Sequence, residues 1–132
     1  MRIFWFILFL LASTEVWGAD WRLLITQAKD AYYFDADSVQ TLENRNIRVW
    51  GREVLSEDSK SKVLKNFGKA FQSLHSASVL FEINCREKMV RALGVEYYAA
   101  DGFMIPSDSY EGGWEIILPG TPEDALRNKV CK

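Results

Sequence analysis

The chain holds two cysteines, Cys85 and Cys131, and their settings constrain the fold more than any other feature. Cys85 closes a run, residues 78–85, in which Val79, Phe81 and Ile83 alternate with Leu80, Glu82 and Asn84. Strand side chains alternate between faces, so Cys85 shares the core face of Val79, Phe81 and Ile83. Cys131 ends a run that begins as helices begin, with Thr121 as cap, Pro122 at the first helical position, and Glu123 and Asp124 in the first turn. Leu126 and Val130 lie one above the other on that helix. A bond between the two cysteines would hold the terminal helix against the core face of the strand.

Bond formation depends on compartment. Met1-Arg2 supplies a basic start, residues 3–12 an uncharged apolar run, and Ser13-Thr14-Glu15 a polar break before the small residues Gly18 and Ala19. That order is a secretory signal peptide, and the run falls short of the roughly 20 apolar residues that a membrane-spanning helix needs. Cleavage after Gly18 puts Val16 and Gly18 at the selective positions, so residues 1–18 read as the signal and 19–132 as one mature domain. An uncleaved anchor is the alternative. No cysteine stands near the cut to be acylated. The expectation is an exported protein, periplasmic or extracellular, not lipid-anchored and without stable membrane insertion once the signal is cut. In that setting an even cysteine count reads as a disulfide, with free thiols as the alternative.

Composition excludes several functions. The net charge of -2 offers no general attraction for nucleic acid. Two cysteines and the lone His75 cannot close a zinc shell without carboxylates, and no C-x-x-C is present for thiol redox chemistry.

Along the mature chain, residues 21–26 and 32–34 read as short strands, with Asp30 a turn residue between them and a turn or single helical turn at Asp35-Ala36-Asp37-Ser38. Glu43-Asn44-Arg45-Asn46 is a hairpin connection, and residues 47–55 form a strand. Residues 56–76 carry Val63, Phe67, Phe71 and Leu74 at helical spacing, which predicts a second helix in the 57–75 connection. Lys62, Lys65 and Lys69 share a face of it, read as solvated. Residues 88–98 read as a long strand with Met89, Leu93, Val95 and Tyr97 on one face. Ala99-Ala100-Asp101-Gly102 supplies a tight turn, Phe103-Met104-Ile105 returns, and residues 114–118 form the last strand.

These landmarks, taken in order, carry a family resemblance. Trp21, Tyr32-Tyr33-Phe34-Asp35 with Ser38-Val39, Val49-Trp50, Glu82-Ile83-Asn84-Cys85, Tyr98 with Asp101-Gly102, Trp114, Pro119-Gly120-Thr121 and Val130-Cys131 resemble the surface-adhesin protein E family of small exported Gram-negative proteins. The resemblance covers nearly the whole mature chain. It implies an α+β fold: an antiparallel sheet of about six strands, with a C-terminal helix held on one face by the Cys85–Cys131 disulfide. It also implies binding or adhesion rather than catalysis.

The residues offer little chemistry. His75, the single histidine, has no nucleophile motif around it and reads as a surface residue at the helix end. Asp35 and Asp37 are the nearest carboxylate pair for a glycosidase, but capping explains them more simply. The same stretch fails as a calcium loop. Gly112-Gly113 is too short to cradle phosphate. The expectation is no enzyme, no metal and no cofactor. Aromatics remain, and adjacent Tyr97 and Tyr98 cannot both be buried by one layer. Exposed aromatics mark contacts, so the sheet face opposite the terminal helix, with Trp50 and Tyr98, is the expected binding face for a protein or other envelope or extracellular ligand. A small periplasmic structural or accessory protein is the alternative, and a small secreted hydrolase comes third.

Overall fold

The computed structural model describes residues 19–108 and 110–132; the signal expected over 1–18 lies outside the described residues. The strands are β1 (Trp21–Gln27), β2 (Asp30–Asp35), β3 (Gln40–Thr41), β4 (Ile47–Val54), β5 (Leu74–Asn84), β6 (Met89–Ala99), β7 (Met104–Ile105) and β8 (Glu115–Ile116). They form one antiparallel sheet in the order β1-β2-β4-β5-β6-β7, with β3 pairing β4 and β8 pairing β6. β3 extends the line of β2 along β4, and β8 shares with β7 the outer edge of β6. The sheet is therefore about six strands wide, as expected.

Helix α1 (Glu57–Phe67) and helix α2 (Pro122–Val130) pack on the same face. Cross-strand pairing assigns Phe34, Ile47, Val49, Phe81, Ile83 and Val90 to that face. There Leu126 and Val130 of α2 complete the larger core cluster. Val49 and Ile83 have no exposed surface and Leu126 has 2%, and burying each contributes about 1.5–3 kcal/mol. Thr121 caps α2 through its hydroxyl, which accepts from the Asp124 N–H. The helix ends at Cys131, which is bonded to Cys85 across a Cα–Cα distance of 5.8 Å. A second, smaller cluster of Leu74, Ala99 and Ile105 is covered by Val63 of α1 and by Phe71.

Several expectations need correction. The helix over 56–76 stops at Phe67, because Gly68 takes φ +84 and turns the chain into a 3-10 turn, Lys69–Phe71. Leu74 and His75 already belong to β5. His75 is half-buried at a register shift, and its carbonyl accepts from the Leu55 N–H at 3.0 Å. It is not a helix-end residue. Asp30 is not in the turn either. Ala28 and Lys29 make that turn with positive φ, and Asp30 opens β2 with 6% of its surface exposed. On β6 the pairing skips Leu93, since Leu80 faces Gly94 while Phe81 faces Ala92. This bulge reverses the phase, so Met89 points away from the face that holds Val95 and Tyr97. The last strand shrinks from residues 114–118 to Glu115–Ile116.

Candidate functional site

The face opposite the helices is built from the alternate positions of the same strands. In cross-strand order it carries Arg48–Glu82–Arg91, then Trp50–Leu80–Gly94, then Tyr33–Arg52–Ser78–Glu96, then Val54–Ser76–Tyr98–Met104. Neither core cluster includes any of these residues. Trp50 and Tyr98 both lie on this face, as expected, and both are half-buried. They stand four residues and two strands apart by register, roughly 16 Å from strand spacings. Four residues on the same face are more exposed, Leu23 at 56%, Met104 at 55%, Trp114 at 38% and Ile116 at 72%, and of these only Trp114 stood among the sequence landmarks. Strand alternation could have found Leu23. Met104 and Ile116 sit on two-residue strands too short to show a period.

Most charge on this face is engaged, Glu82 with Arg91, Arg52 with Trp21 and Glu96 with Tyr98, whereas the Arg48 Nε is buried without a partner among the described residues. Glu82, 4% exposed, accepts from Arg91 at 2.7 Å and from the Asn46 side-chain amide at 2.8 Å. Burial alone would raise the Glu82 pKa, but hydrogen bonds from Asn46 and Arg91 and the Arg91 charge outweigh it and leave the pKa lowered. Arg91 stacks over the Trp114 ring at 4.8 Å, and Arg52 over Trp21 at 4.1 Å, contacts worth about 0.5–1 kcal/mol each at exposed sites. The Tyr98 hydroxyl donates to Glu96, and that bond, then burial, raises its pKa. An added Cβ on Gly94 would meet nothing within 4 Å, so a notch opens beside Leu80 in the middle of the face.

The helix-covered face holds a second feature. Ile47, Val49, Gly51 and Glu53 share it, which puts a carboxylate in core phase. Glu53 accepts from the Tyr32 hydroxyl at 3.0 Å. Burial, then hydrogen bonding with the neighbouring Asp30 carboxyl, pushes Glu53 up to about 7 against the Tyr32 hydroxyl, with the charges of Asp30 and Glu123 adding to the rise. Asp30 moves the other way. Burial opposes its ionisation, but hydrogen bonding with Glu53, Ser56 and Ser59 prevails, including the Ser56 N–H at 2.7 Å.

A folded pKa above the unfolded one means that the folded state holds the extra proton between about pH 4.5 and 7. Stability then falls as pH rises through that window. Glu53→Gln should therefore stabilise the protein at pH 8, by on the order of 1–2 kcal/mol after allowing for solvent screening. The gain should vanish near pH 4.5. Urea midpoints at the two pH values check this, and an equal effect at both would show that the carboxylate does not hold the proton.

Asp35 and Asp37 do not form a catalytic pair. The Asp35 carboxylate accepts from the backbone N–H of Asp20 and of Asp37, as a cap does. Among the described residues no group of three or more His, Cys, Asp or Glu is placed to hold a metal ion. No described helix is long and apolar enough to cross a membrane.

An antiparallel sheet with a disulfide-tied C-terminal helix on one face and aromatic and paired charged side chains on the other defines an α+β domain of the adhesin type. The chain belongs to the surface-adhesin protein E family, whose family model matches residues 21–132. Its fold is similar to that of Haemophilus influenzae protein E. Crystal form II of that protein gives a TM-score of 0.59 at 12% identity, covering 86% of this chain and 91% of that one. A second structure of it gives 0.58 at 13% identity over 86% and 88%. No curated protein matches the chain. Membership of the surface-adhesin protein E family implies an exported or surface adhesin-like protein.

Proposed function

We propose that residues 1–18 direct export, and that residues 19–132 form a non-catalytic binding module that captures a protein or other envelope or extracellular ligand through the open sheet face. The observation that carries this reading is the concentration on one uncovered face of Trp21, Trp50, Tyr98 and Trp114 with exposed Leu23, Met104 and Ile116. Aromatic anchors of this kind, rimmed by arginines, are what binding surfaces concentrate. Glu82 and Arg91 are already paired and Arg52 is stacked on Trp21, so a partner need not desolvate these three charges to lie on the face. The notch at Gly94 admits a partner's backbone or side chain.

Trp50→Ala and Tyr98→Ala should each weaken partner capture by roughly 30-fold, the equivalent of about 2 kcal/mol. Because both residues are half-buried, each should cost about 1 kcal/mol of stability, no more. Surface plasmon resonance on a captured partner and urea melts of the same variants separate the two effects. Loss of several kcal/mol of stability with unchanged affinity in the folded fraction would make both residues structural and move the site elsewhere.

A further inference from the structure

The two core clusters do not meet. Between them the sheet carries small or retracted residues, and a cavity of about 260 Å³ remains. Its apolar wall is Gly51, Val79, Phe81, Ala92, Val95 and Leu126. Gly51 lets the Phe81 ring lie across it and form part of the wall, since a Cβ there would stand 2.8 Å from that ring. Tyr32, Glu53 and Glu123 line the same space, as does Arg52, whose guanidinium lies on the opposite face over Trp21, and Tyr110, 54% exposed, stands at its rim.

We infer that this cavity binds a small organic cation, an ammonium group on a single aromatic or branched aliphatic body, with the ammonium against Glu53. Volume and charge carry the assignment together. A cavity of about 150 Å³ lined by apolar side chains holds benzene, so this one has room for a ring and a short chain. The groups that face Glu53 are Asp30 and Tyr32 from β2 and Glu123 from α2. None of Asp30, Glu53 and Glu123 forms a salt bridge among the described residues. On α1, Lys60 is engaged with Glu57 instead. A proton on Glu53 neutralises the group that would hold the cation, so wherever Glu53 is protonated the cation must displace that proton. The site lies on the face opposite Trp50 and Tyr98, so it is independent of the binding face proposed above, and partner capture can fail without touching it.

Calorimetric titration of the protein with 2-phenylethylamine and with its neutral counterpart 2-phenylethanol tests the assignment. At pH 8 the amine is charged, as lysine is, and should bind at least 10-fold more tightly than the alcohol. Only ionised Glu53 is competent, so lowering the pH to 5.5 should weaken amine binding by about 30-fold while leaving the alcohol unchanged. Glu53→Gln should bring the amine to within about threefold of the alcohol and remove the pH dependence. Ala92→Phe, which fills the cavity, should abolish both. Equal binding of amine and alcohol by the wild-type protein, an amine affinity untouched by Glu53→Gln, or no heat from either probe up to millimolar concentration would overturn the inference. Circular dichroism of each variant checks that it is folded.

Discussion

Cys131→Ser should cost 2–4 kcal/mol of stability and still leave a folded sheet. The bond spans 46 residues of sequence, and closing a loop of that length removes roughly 4 kcal/mol of unfolded-state entropy by the chain model. It does not hold α2 alone. Leu126 and Val130, 2% and 7% exposed, remain packed against Phe34, Val49 and Ile83, and each contributes about 1.5–3 kcal/mol. The helix should therefore stay docked and open more often. Amide exchange in residues 122–131 should speed up more than exchange in β4 and β5, whose ladder does not depend on the bond. Reductant should lower the wild-type urea midpoint and leave that of Cys131→Ser unchanged. A loss below about 0.5 kcal/mol would mean that apolar packing by itself holds the helix.

That geometry was legible because two independent patterns converge on it. Period-2 alternation put Cys85 on the face of Phe81 and Ile83, and the start signals at Thr121 and Pro122 fixed the helix that ends at Cys131. The same alternation misplaced Met89, because a bulge at Leu93 adds one residue to β6 and leaves no local mark in composition. Helical spacing ran on past Gly68 because Phe71 and Leu74 remain apolar for another reason: Leu74 belongs to the smaller cluster and Phe71 covers it. Asp30 looked like a turn residue because aspartate favours turns. Its actual partners, Ser56 and Ser59, lie more than 25 residues away and only the fold brings them near. Trp50 and Tyr98 could be placed on one face from strand phase, but their half-burial depends on neighbours in adjacent strands. Glu53 was readable in principle, since it sits two residues beyond Gly51 in core phase. What it meets there, Tyr32 and Asp30, is set by the β2–β4 register.

The second large effect belongs to Arg91→Met. The substitution keeps much of the side-chain volume and removes the charge opposite a nearly buried Glu82. Breaking a buried pair on one side usually costs 3–5 kcal/mol. Arg91 is one-third exposed and Asn46 still donates to Glu82, so about 2–3 kcal/mol is expected at pH 7.5. The pH dependence identifies the cause. In the wild-type protein the lowered pKa of Glu82 contributes stability above the unfolded value near 4.5, lost as pH falls through the folded value. Without Arg91 the balance reverses, since burial raises the pKa and the ionised group becomes a cost at neutral pH. The difference between wild type and variant should therefore be largest at pH 7.5 and shrink as pH falls to 4, through the raised value of the variant's Glu82 and toward the lowered value of the wild type's. Trp114→Ala, which removes the stacking partner of Arg91 and keeps the ion pair, should cost less than about 1 kcal/mol and show no such trend. Urea melts of both variants at the two pH values decide it. If the Arg91→Met deficit is the same at pH 4 and pH 7.5, the residue acts through packing on Trp114, and Glu82 does not depend on its charge.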